Sequence, residues 1–203
     1  MYVKICGLTD AATAAHAADV GADAVGVVMS ERSPRHASHD DARAVVAAAR
    51  AENPAIDTVL VVRETPADEA AETARALGFD VLQLHGRYTA HDFERARSIH
   101  PRVWRATSLA AHPHIVSGEY GEERMLIDGA RAGSGEPWDL ALIRHASLGQ
   151  GWLLAGGLSP DNVARAIAEA KPFGVDVSSG VETSPGVKSL DRITAFTRAA
   201  RGE

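Results

Sequence analysis

Residues 152–180 read WLLAGGLSPDNVARAIAEAKPFGVDVSSG, and the fold turns on this stretch. It opens on an apolar run that ends in two glycines. An Ala-rich, helix-compatible segment over Pro160–Ala170 follows, and then a second β-branched run, GVDV. A strand, a helix and a strand in that order call for parallel pairing through a right-handed crossover. The first run is apolar almost throughout, as suits a strand buried on both faces.

Working outward, the same rhythm recurs. Before the stretch come YVKIC with Asp10–Val20, AVGVVM with Asp40–Ala51, DTVLVV with Ala67–Leu77, and VLQLH with Ala90–Ile99. VWRAT leads into a segment that Pro113 and Gly118 make a poor helix, and RMLIDG leads into Trp138–His145. After the stretch, the last strand is followed by Leu190–Ala200. Eight such units predict a closed (β/α)8 barrel, with 203 residues near the short end for that architecture. A doubly wound open sheet is the alternative, since periodicity does not distinguish the two. No low-complexity linker breaks the alternation, so residues 1–203 are expected to form one domain.

Composition narrows the function classes. A net charge of −6, with no run of Lys or Arg, argues against a nucleic-acid partner. A single cysteine cannot close an intrachain disulfide, and no window approaches a membrane span. A cytoplasmic protein with no membrane partner is expected. None of the nine histidines falls into an HExxH or finger spacing, so no metal is expected. The first strand is not followed by GxGxxG, which leaves a dinucleotide site unsupported.

In a parallel barrel, catalysis gathers at the C-terminal ends of the strands. There the chain carries Cys6–Gly7, Ser33-Pro34-Arg35, Gln83 to Gly86, Asp128, Gly156–Gly157 and Ser178–Ser179–Gly180. The last two groups suit an anion. Glycines let backbone N–H groups approach it closely, and a helix start at Ser159-Pro160 would add partial positive charge. Tight turns and caps use the same residues, but paired loops in the seventh and eighth units favour a phosphorylated small molecule. Asp128 is either a surface cap or a carboxyl at the barrel mouth, where burial would hold it protonated as an acid. Cys6 is either core filler or a base. Lys4 shares its strand face with Cys6, and is either an aid to the thiolate or a solvent-facing charge. Arg35 offers a fork suited to a carboxylate or phosphate, as any surface arginine would. His85 either orients structure or touches ligand.

Taken in order, KICGLT, SPRHAS, LQLHG, LIDG, LAGGLSPDNV and GVDVSSGVETSPGVK resemble the phosphoribosylanthranilate isomerases of tryptophan biosynthesis, over nearly the whole chain. The resemblance implies a TIM barrel of the ribulose-phosphate-binding type and a cofactor-free Amadori rearrangement. In it Asp128 would be the general acid and Cys6 the general base. Arg35 would meet the anthranilate carboxylate and His85 would line the substrate site. Gly156, Gly157, Ser178, Ser179 and Gly180 would hold the phosphate.

The chain departs from the family pattern in two places. After Asp128 it reads GARAGSGEPWDL where the family usually has a Gly-Gly-Thr-Gly turn, and its third strand ends VVRE rather than Phe-Val-Asn. Two other readings compete. A histidine-pathway aminoimidazole ribotide isomerase, or an enzyme serving both pathways, would carry an aspartate at position 6 or a Gly-Gly loop after strands three or four. Neither is present in this sequence. A non-catalytic sugar-phosphate-binding barrel would have lost the acid or the base. The chain is expected to act as a monomer or a homodimer.

Overall fold

A computed structural model of the protein describes residues 1–112, 114–128 and 148–203. Its elements run β1 (Tyr2–Cys6), α1 (Ala11–Asp19), β2 (Ala24–Val28), α2 (His39–Glu52), β3 (Asp57–Val62), α3 (Ala67–Ala76), β4 (Val81–His85) and α4 (Ala90–Ile99). They continue as β5 (Val103–Ser108), β6 (Arg124–Asp128), β7 (Trp152–Leu154), α5 (Val163–Ala170) and β8 (Gly174–Val177). A short hairpin of β9 (Glu182–Ser184) and β10 (Val187–Lys188) precedes α6 (Leu190–Arg201). The first eight strands pair in sequence order, and β8 closes on β1. The closed barrel replaces the open-sheet alternative.

Strand alternation sorts the apolar residues into two shells. Val3, Ile5, Val25, Leu60, Leu82, Met125 and Val175 pack outward against the helices. Ala24, Val59, Val81, Trp104, Leu126 and Leu153 fill the interior. The helices meet the barrel through small side chains. In α3, Ala67, Ala70, Ala71 and Ala74 form one buried stripe at helical spacing. Helix starts follow capping chemistry: Asp10 accepts from the Thr13 N–H, while Ser38 and Thr89 form capping boxes with Asp41 and Asp92.

Aromatic and charged groups close the N-terminal end of the barrel. Tyr2 meets Trp104 edge-on, and the Arg124 guanidinium lies 4.2 Å from the Phe173 ring centroid. The Tyr2 hydroxyl donates to Asp57 at 2.6 Å. The strand ends carrying Cys6, His85 and Asp128 lie at the opposite end.

One local expectation holds and another changes. Between β5 and β6 the described residues form turns rather than a helix. The buried Glu122 carboxylate accepts from the Gly118 and Tyr120 N–H groups, satisfying donors that a helix would otherwise pair. The helix after β7 begins at Val163, not at Pro160. The Ser159 N–H is already taken by the Asn162 side chain, so residues 159–162 form a turn. The expected helix at Trp138–His145, the GARAGSGEPWDL stretch and Pro113 lie outside the described residues.

Candidate active site

Cys6 is the last residue of β1 and faces the barrel interior, as does Lys4 two positions earlier. Cys6 is 6% exposed and Lys4 is wholly buried, so the solvent-facing reading of Lys4 fails. Its ammonium meets Asp176 on β8 at 2.6 Å. The space both side chains occupy is left by Gly26 on β2, the strand partner of Cys6. A Cβ at Gly26 would stand 2.8 Å from the Cys6 Sγ and 3.2 Å from the Lys4 Cε. Burial pushes the Cys6 thiol up from its ordinary pKa; Lys4 and Lys188 pull against that shift, and Asp176 adds to it.

On the next arc of the mouth, His85 ends β4 and Asp128 ends β6, both partly buried. The His85 Nε2 is 4.0 Å from the Asp128 Oδ2, beyond hydrogen-bond reach. Burial first, and then the Arg63 charge, pushes the imidazole down to about 4. His85 is therefore neutral near pH 7, and the two rim groups form no ion pair there. By strand alternation Asp128 shares the inward face of Leu126.

Arg35 follows β2 and reaches across to the segment after β8. Its Nε and Nη2 donate to the two oxygens of Glu182 at 2.7 and 2.8 Å, a fork-to-carboxylate pair. Glu182 thus takes one edge of the Arg35 guanidinium and fixes its orientation. Lys188, from β10, donates to the same carboxylate at 2.7 Å and to the Ser178 backbone oxygen at 3.0 Å. Glu182 and Lys188 are nearly inaccessible, with side chains 4% and 2% exposed. Burial alone would raise the Glu182 carboxyl, but hydrogen bonds from Arg35 and Lys188 outweigh it and hold the carboxyl below its usual range. Gly7 sits where this cluster meets Cys6: a Cβ there would lie 2.6 Å from the Arg35 Cδ and 2.9 Å from the Ser178 Oγ.

The glycine-bearing loops after β7 and β8 come together. Gly156 and Gly157 take φ of +81° and +64°, conformations that favour glycine. A Cβ on Gly180 would fall 1.8 Å from the Leu158 backbone oxygen, so only glycine lets one loop seat on the other. Ser178 immediately precedes a 3-10 turn over Ser179–Val181. The Asn162 side chain fixes the first loop by donating to the Gly157 oxygen at 2.9 Å.

Sequence reasoning did not single out Asp176, Glu182, Lys188 or Gly26. Alternation marks Asp176 as inward-facing two residues before Ser178, and the GVETSPGVK motif contains both Glu182 and Lys188. What a single sequence does not show is that this hairpin folds back under Arg35.

Comparison with known proteins follows the same outline. Residues 3–199 match the family model described as N-(5'-phosphoribosyl)anthranilate (PRA) isomerase. A Beijerinckia indica N-(5'-phosphoribosyl)anthranilate isomerase is 40% identical, covering 99% of this chain and 94% of its own. The crystal structure of TrpF from Jonesia denitrificans superposes with a TM-score of 0.90 at 49% identity, covering 100% of this chain and 97% of that one. A phosphoribosyl anthranilate isomerase in complex with reduced 1-(o-carboxyphenylamino)-1-deoxyribulose 5-phosphate superposes with a TM-score of 0.84 at 31% identity, with both chains fully covered.

Proposed function

The chain belongs to the N-(5'-phosphoribosyl)anthranilate isomerase family, and from that premise we infer that it converts N-(5'-phosphoribosyl)anthranilate to 1-(2-carboxyphenylamino)-1-deoxyribulose 5-phosphate. The reaction is an internal redox by proton transfer, and it serves tryptophan biosynthesis. It needs one acid and one base. Asp128 protonates the ribose ring oxygen while the aniline nitrogen lone pair expels it from C1, which opens the ring to an iminium. Cys6, as thiolate, removes the proton from C2, and the electrons of that C–H bond neutralise the iminium to give an enolamine. Tautomerisation returns a proton to C1 and leaves the C2 ketone, so every proton removed is restored.

The observation that carries this reading is the convergence of Cys6 and Asp128 on one barrel mouth, from β1 and β6, beside the two glycine-bearing loops. The Gly156–Gly157 and Ser178–Gly180 loops hold the substrate phosphate through backbone N–H groups and hydroxyls. Arg35, whose fork Glu182 already orients, faces the anthranilate carboxylate. The neutral His85 lines the substrate site beside Asp128.

Freshly prepared N-(5'-phosphoribosyl)anthranilate mixed with the protein should lose its anthranilate fluorescence rapidly. Asp128→Asn should slow that loss by about 10²–10⁴-fold, the usual contribution of a general acid. An unchanged signal with the wild-type protein would overturn the assignment. Equal rates for the two proteins would overturn the role of Asp128.

A further inference from the structure

We propose that Lys4 and Lys188 are positioning residues for Cys6, two ammonium groups that flank its sulfur and favour its thiolate form, each fixed by a carboxylate of its own. The proposal deepens the reading of Cys6 as the base and rests on it.

The geometry comes from two glycines. At Gly26 the Cys6 Sγ and the Lys4 Cε both border the space a methyl would take, so the sulfur and the end of the lysine stem line the same gap. At Gly7, directly after Cys6, a methyl would stand 3.3 Å from the Lys188 Nζ. One ammonium thus approaches from within the barrel and the other from the hairpin above it. Neither has freedom to turn away. Lys4 is wholly buried and held by Asp176 at 2.6 Å. Lys188 is 2% exposed and held by Glu182 at 2.7 Å.

Charge explains why two are present. Around the sulfur stand the cations Lys4, Lys188 and Arg35 against the carboxylates Asp176 and Glu182. His85, on β4, is neutral near pH 7, and β2 contributes only Gly26 at this level. Asp128 faces the mouth from β6 and is assigned to the acid role. The five fixed charges leave one positive charge over, and the thiolate balances it. A buried thiol with no such surplus stays protonated. Were the lysines only seam pins between β1, β8 and the hairpin, the ionisation of Cys6 would not follow their charge.

Cys6 is the only cysteine, so thiolate absorbance near 240 nm reports it alone once a Cys6→Ser blank is subtracted. We expect Lys4→Gln and Lys188→Gln each to raise the midpoint of that titration by at least about one pH unit, a tenfold loss of thiolate at a given pH. Asp176→Asn should move it the opposite way, which a merely loosened fold would not do. If Lys4→Gln does not fold, as judged by circular dichroism, Lys188→Gln and Asp176→Asn decide the matter. Midpoints unchanged in the folded variants would overturn the proposal. Failure of the underlying reading looks different: Cys6→Ser would keep its turnover.

Discussion

At the scale of single residues, environment decides chemistry. Cysteine and histidine ordinarily titrate on opposite sides of neutrality, and burial moves Cys6 up and His85 down because one is charged when it loses a proton and the other when it gains one. The raised thiol gives a pH dependence with a definite sign. Turnover should climb with pH above neutrality as the thiolate forms, and level off above the midpoint of Cys6. A rate–pH profile of kcat/KM checks this, and a flat profile from pH 7 to 10 would contradict it. For His85 the folded-state pKa lies below the unfolded one. Its contribution to stability is therefore complete above about pH 6.5, the ordinary histidine value, and is lost as pH falls toward about 4. Ring-proton NMR should show its imidazole unprotonated throughout pH 5.5–8, where an exposed histidine would titrate.

At the scale of elements, the loops do what the strands cannot. The strand ends deliver Cys6, His85 and Asp128 to one rim, while the turns after β7 and β8 form the proposed anion site. That site depends on Gly180, whose closeness to the Leu158 oxygen leaves no room for a side chain. Gly180→Ala should push the two loops apart and raise KM for the phosphorylated substrate by tenfold or more, with a smaller change in kcat. Steady-state kinetics separates the two effects. Much of this scale was legible beforehand. Alternating β-branched and Ala-rich runs located the strands, and Gly-Gly and Ser-Ser marked the loops. The poor helix after VWRAT was legible as well, since Gly118 and its neighbours favour turns. The start of α5 was not legible, because Pro160 resembles a first-turn proline. The bond from Ser159 to Asn162 that forms a turn instead is invisible without coordinates.

At the scale of the whole molecule, the barrel divides its labour by end. Tyr2, Asp57, Arg124 and Phe173 seal the bottom through aromatic contacts, the Tyr2–Asp57 hydrogen bond and the Arg124 cation–π contact, and Cys6, His85 and Asp128 stand at the opposite end. The closed sheet makes this economical, because β8 beside β1 brings Asp176 to Lys4 across a separation of 172 residues. Such long-range partners are what one sequence leaves unread. Cys6 and Lys4 beside it were legible as candidates, whereas Lys188, Arg35 and Asp176 depend on which segments become neighbours. Stability should fall on acidification, since Glu182 is held below its usual range by Arg35 and Lys188 despite its burial. The stability it contributes is present above the ordinary carboxylate pKa and lost as pH falls through its lowered value. Urea unfolding at pH 7 and pH 4 should show a lower midpoint at pH 4, and Glu182→Gln should narrow that difference.

The central claim is that Cys6 is a base at the barrel mouth rather than packing in its core. It is tested most directly by measuring turnover and urea unfolding of Cys6→Ser beside the wild type. The account predicts at least a hundredfold loss of kcat with an unfolding midpoint close to wild type. Retained turnover with a clearly lowered midpoint would contradict it and return Cys6 to the role of core filler.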